Sequence, residues 1–138
     1  QSAVATLLEL TRVLSPEFQY KLTEGNTRDT LIQGTKVDFA FIDGGHSRQT
    51  IESDFAALKN SKVIVFDDYY TGGNIDLSQY GCNSTVSNLP HRVLPIRDPV
   101  QGGGYTSFVV VASEPDLAIL DRLIEGNEQG FTESCVLI

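Results

Sequence analysis

Tryptophan and methionine do not occur in this 138-residue sequence, and cysteine and histidine occur only twice each. Cys82 and Cys135 form neither a CxxC pair nor a Cys/His metal spacing, so no cysteine-based metal motif is present. Two lone cysteines suit a reducing compartment, with a single disulfide left open. No apolar run approaches the roughly 20 residues of a membrane span. The first residues lack the basic-then-apolar pattern of a secretory signal. The expectation is a cytoplasmic chain with no membrane partner. Positive charge is also scarce. Ten Lys and Arg face 18 Asp and Glu, for a net charge of −8, and the ten are scattered rather than gathered into a stripe. That balance argues against nucleic acid and anionic membrane as partners. Cys135-Val136-Leu137-Ile138 fits a C-a-a-X box, but Glu128, Glu133 and Ser134 stand where a polybasic segment usually would, so it reads as an apolar tail.

What is present suits one globular domain. A chain of this length buries roughly 68% of its unfolded surface. Hydrophobic residues make up 41% of it, enough for a core and too many for disorder. Val4, Leu7, Leu8, Thr11 and Leu14 repeat at helical spacing, and Ser15-Pro16 ends that helix. Phe18, Tyr20 and Leu22 alternate with polar residues and predict a strand. A short helix is expected over 28–33, closed by Gly34. Residues 37–42 read as a buried parallel strand, 47–60 as a helix with Ser47 as N-cap, and 62–66 as a second strand. The stretch 69–89 is irregular, with a helix near 84–89. Strands over 92–96 and 105–112 flank Gly102-Gly103-Gly104 and predict a hairpin, and a helix over 115–125 has proline in its first turn.

The most informative segments are Val37-Asp38-Phe39-Ala40-Phe41-Ile42-Asp43-Gly44-Gly45-His46 and Val63-Ile64-Val65-Phe66-Asp67-Asp68-Tyr69. Each apolar run ends abruptly in acid. With a helix between them they form a βαβ unit, whose parallel strands end on one edge of the sheet. Asp43, Asp67 and Asp68 are therefore expected to converge in the crevice where open α/β sheets bind ligands. Like charges gathered there repel unless a cation or a polar ligand uses them.

These segments, with Leu22-Thr23-Glu24-Gly25-Asn26-Thr27 before them, resemble the class I S-adenosylmethionine-dependent methyltransferases. The branch they look most like holds small-molecule O-methyltransferases, and the resemblance runs over roughly residues 1–112. It implies an α/β, Rossmann-like sheet of about five strands, mostly parallel, with an antiparallel C-terminal hairpin at the edge. It also implies that the family's opening strands, with their glycine-rich cofactor turn, are absent from this chain. Gly102-Gly103-Gly104 does not replace that turn, because it joins two strands.

The resemblance further implies roles. Gly25, Asn26 and Thr27 would meet the adenine of S-adenosylmethionine, with Asp43 and Gly44 also at the cofactor. Asp43, Asp67 and Asp68 would hold Mg²⁺, which all-oxygen ligands favour. His46 would be the catalytic base, since imidazole titrates near neutrality, with Asp43 beside it. The substrate would be a small molecule carrying a hydroxyl. Plainer readings stand beside these: strand-end caps for the acids, a loop histidine for His46, an ordinary turn for Gly25-Asn26. His91, next to Pro90, reads as structural or exposed. The rival functional readings are a non-catalytic fragment or remnant of a methyltransferase domain that does not bind the cofactor alone, and a different Rossmann-like enzyme such as a nucleotide-sugar transferase. Oligomeric state, a homo-oligomer included, stays open.

Overall fold

The computed structural model describes residues 23–73, 76–77, 80–95, 98–100 and 103–130. The expected helix over 4–14 and strand over 18–22 lie outside the described residues. In chain order the elements are α1 (Thr27–Thr30), β1 (Phe39–Ile42), α2 (Arg48–Leu58), β2 (Val63–Thr71), α3 (Gly81–Val86), β3 (His91–Val93), β4 (Asp98–Pro99), β5 (Tyr105–Ala112) and α4 (Glu114–Gly130).

The five strands form one sheet in the order β1-β2-β5-β3, with β4 also paired to β5. β1 and β2 are parallel, Ile42 opposite Phe66, as the βαβ reading requires. β5 runs antiparallel to β2, β3 and β4. Four strands thus point one way and β5 alone is reversed. The expectation of a mostly parallel sheet holds for strand direction. It needs correction for position: the reversed strand is not at an edge but sits between β2 and the β3/β4 pair. The core explains this, because Val109 and Val111 on β5 are as buried as Ile64 and Phe66 on β2.

That core lies on one face, where Ala40, Ile42, Ile64, Phe66, Val109 and Val111 meet Ile51 of α2 and Cys82 and Val86 of α3. Burial of such side chains contributes about 1.5–3 kcal/mol each. Residues 37–42 were expected to be buried on both faces. The structure buries only Ala40 and Ile42; Phe39 and Phe41 are 60% and 49% exposed. Alternation sends both phenylalanines to the sheet's other face, where Phe41 meets Phe108 edge-on at 5.8 Å. Among the described residues β1 pairs on one side only.

α2 is capped as the sequence predicts: the Ser47 hydroxyl accepts from the Thr50 amide at 3.2 Å. α3 meets the start of α2 so closely that a Cβ on Gly81 would lie 2.9 Å from the Arg48 Cα. At the far side Arg92 Nε donates to both Asp121 oxygens, at 3.0 and 3.1 Å, tying β3 to α4.

Two Gly→Ala changes should therefore differ in sign. Gly81→Ala forces backbone against backbone and is expected to destabilise by about 1–3 kcal/mol. Gly126→Ala, in α4 with open space around the new methyl, is expected to stabilise by up to about 1 kcal/mol. Urea denaturation of the two variants checks both.

Candidate active site

β2 outruns β1. The parallel ladder stops at Ile42 opposite Phe66, but β2 continues to Thr71 along β5. Within that overhang the β2–β5 register shifts between Phe66 and Tyr69, so Asp67 and Asp68 together oppose Phe108. This is a β-bulge. It bends the strand and re-aims side chains. Asp68 takes a left-handed backbone, φ 56°, the only non-glycine residue among those described to do so. Asp tolerates this conformation better than most residues. The Asp68 amide, withdrawn from the ladder, donates to Asp67 Oδ1 at 2.8 Å.

The bulge points Asp68 at the loop that follows β1. His46 Nδ1 lies 2.5 Å from Asp68 Oδ2. A carboxylate oxygen only accepts, so Nδ1 carries the proton, and the neutral ring keeps its lone pair on Nε2. The His46 side chain is 67% exposed and that of Asp68 only 24%. One end of the pair is thus anchored and the other faces solvent. His46 sits one residue before the N-cap of α2, which fixes the loop's exit.

The expected convergence of acids is present in part. Burial pushes the Asp68 carboxyl above its ordinary range, and the charges of Asp67 and Asp43 push it the same way, while His46 opposes them. Burial raises the Tyr70 phenol too, helped by Asp68, Tyr80 and Asp67. Cys82, beneath the bulge, is pushed up to about 12 by burial and by the same two carboxylates. It is a protonated, unreactive thiol.

The Mg²⁺ expectation does not fit this arrangement. Among the described residues no group of three or more His, Cys, Asp or Glu is placed to hold a metal ion. Asp68 Oδ2 is turned to His46, and Asp67 Oδ1 to a backbone amide. Gly25, Asn26 and Thr27 lie at the start of α1, which packs against α2. Asn26 Oδ1 caps α1 by accepting the Arg28 amide at 3.0 Å, leaving its NH₂ as a donor. Gly44 passes over α2, where a Cβ would lie 3.4 Å from Asp54 Oδ2. Asp54 is 5% exposed, and its Oδ1 has no hydrogen-bond partner among the described residues.

Three features escaped the sequence reading. One is the use of Asp68 as the partner of His46. Another is Asn83, whose side chain accepts from the Tyr70 amide and donates to the Tyr70 carbonyl, at 3.0 and 2.9 Å. It closes the strand edge that β1 is too short to cover. The third is the stacking of Tyr70 on Tyr80, centroids 3.9 Å apart. A cavity of about 540 Å³ opens at the opposite end of β1 and β2, lined by Lys36, Lys59 and Lys62 among others, away from this chemistry.

Compared with known proteins, the chain matches no family model, and no curated protein or solved structure is significantly similar to it. No described helix is long and apolar enough to cross a membrane.

The raised Asp68 value has a sign. Its carboxyl binds a proton more readily in the fold than in the unfolded chain. Its contribution to stability is full below the ordinary carboxylate range and is lost as pH rises through the raised value. Asp68→Asn stays uncharged and suits the left-handed backbone. Its melting temperature should exceed the wild type's near about pH 7.5, and the gap should close towards about pH 4. A lower melting temperature at the higher pH would mean that the ion pair dominates.

Proposed function

We propose that this chain acts in S-adenosylmethionine-dependent methyl transfer to a hydroxyl of a small molecule, with His46 as general base. The observation that carries the proposal is the His46–Asp68 pair at the edge where parallel β1 and β2 end. Ligands bind at that edge in open α/β sheets. Asp68 fixes the histidine tautomer and steadies the imidazolium that forms when Nε2 takes the hydroxyl proton. This is the logic of an acid–histidine dyad. The deprotonated oxygen would then stand in line with the donor, the new C–O bond replacing the C–S bond as S-adenosylhomocysteine leaves, and the protein's main contribution is orientation.

When bound, S-adenosylmethionine supplies an electrophilic methyl group. The Asn26 NH₂ would hold the adenine, and the backbone at Gly44 would let the cofactor approach closely. Asp43, the first residue past β1, would lie between cofactor and acceptor. No step runs through a metal.

A second reading keeps one feature in its favour. The sequence contains no glycine-rich turn of the kind that grips the methionine end of the cofactor in the family it resembles. A fragment or remnant of such a domain, which does not bind the cofactor alone, would explain that. It leaves the His46–Asp68 pair without a use.

Calorimetric titration of the folded chain with S-adenosylhomocysteine separates the two. Micromolar binding is expected; its absence from a folded sample would favour the remnant. Transfer of a labelled methyl group from S-adenosylmethionine to a panel of phenols and sugar hydroxyls then tests the base. His46→Ala should lower kcat about 10²–10⁴-fold and leave the S-adenosylhomocysteine affinity unchanged.

A further inference from the structure

A second cavity, of about 430 Å³, opens beside the bulge. That size suits a small organic ligand. Its lining includes Arg48, Tyr69, Leu77, Ser84, Ser87 and His91. Arg48 opens α2, two residues after His46, and Tyr69 directly follows Asp68. The cavity is thus a neighbour of the dyad, and its chemistry is different.

Three observations narrow what it takes. First, His91 is set up as an acceptor. Its Nδ1 lies 2.8 Å from the Leu89 carbonyl, which can only accept, so in the neutral ring Nδ1 holds the proton and Nε2 the lone pair. Nε2 has no partner among the described residues, while Tyr69 holds the ring from the side, centroids 6.0 Å apart. Second, Arg48 is the one permanently charged side chain in the lining, in a chain of net charge −8. Its Nε forms an ion pair with Glu52 Oε1 at 2.7 Å, which offsets part of its charge and leaves the terminal N–H groups as donors for a planar anion. Third, Ser84 adds a hydroxyl, and Ser87, which donates its own to the Ser84 carbonyl at 3.0 Å, keeps oxygen lone pairs to accept with, beside Tyr69 and Leu77. A purely hydrophobic ligand would leave the terminal N–H groups of Arg48, His91 Nε2 and the Ser84 hydroxyl without partners.

We infer that this cavity binds a small hydroxylated carboxylate, its carboxylate on Arg48 and a hydroxyl donating to His91 Nε2. As a binding site it stands without the methyl-transfer reading; as the seat of the methyl acceptor it rests on it.

The test uses three probes on the full chain: glucuronate, glucose and cyclohexanecarboxylate, which carry both groups, hydroxyls alone and the carboxylate alone. Binding is read from side-chain NMR signals of His91 and Arg48. Glucuronate should bind at least about tenfold more tightly than either partial probe. Arg48→Gln should reduce glucuronate binding to the level of glucose, and His91→Phe to that of cyclohexanecarboxylate. Equal binding of all three probes, no binding of glucuronate, or unchanged glucuronate affinity in both folded variants would overturn the inference. Because S-adenosylhomocysteine takes no part, a negative result here leaves the methyl-transfer reading to its own test.

Discussion

β2 is five residues longer than the strand beside it needs, since the ladder with β1 ends at Phe66 and the strand runs on to Thr71. A strand that overhangs its neighbour must satisfy its free backbone edge some other way. Here β5 pairs one side, and Asn83 closes the other at Tyr70. The bulge at the root of this overhang sets the rest. It takes the Asp68 amide out of the ladder, hands it to Asp67, and swings the Asp68 carboxylate to His46. With ideal pairing at that point, Asp67 and Asp68 would face opposite sides of the sheet.

The arrangement gathers negative charge where the sheet is half-buried. Burial is the largest cause of the raised Asp68 carboxyl, with repulsion from Asp67 and Asp43 added to it, and burial leads again at Tyr70 and Cys82, where Asp68 and Asp67 push the same way. His46 is the one cation-forming group that opposes it at Asp68. That pairing gives the histidine, whose side chain is mostly exposed, a fixed tautomer. The Cys82 thiol is kept protonated chiefly by burial, with Asp68 and Asp67 adding to it. Strained backbone of this kind persists where the surroundings over-determine it. Gly81 against Arg48 and Asn83 against Tyr70 supply such surroundings.

Much of the fold was legible because local signals agreed. Ser47 as N-cap, the βαβ spacing and Tyr105–Ala112 as a strand all follow from side-chain chemistry within a few residues. The helix expected over 115–125 is longer, Glu114–Gly130, and that expected near 84–89 lies at Gly81–Val86. The strand expected over 92–96 is His91–Val93, with Asp98–Pro99 pairing further along β5. β2 was expected to stop at Phe66 because two acids follow. It continues because β5, distant in sequence, offers a partner. The insertion of β5 inside the sheet is likewise non-local. In the site, the gathering of Asp43, Asp67 and Asp68 near one another at the ends of β1 and β2 was readable from topology. Which acid takes His46 was not, because a bulge depends on the register between strands. The bond of His91 to the Leu89 carbonyl and its ring contact with Tyr69 agree with the structural reading of that residue.

The central claim is that Asp68 dictates the state of His46. Long-range ¹H–¹⁵N correlation spectra of the imidazole test it directly. At a pH where the ring is neutral, the Nδ1–H tautomer should dominate in the wild type and give way to the Nε2–H form in Asp68→Ala. A wild-type ring already in the Nε2–H form, or one that the Asp68 substitution leaves unchanged, would contradict it.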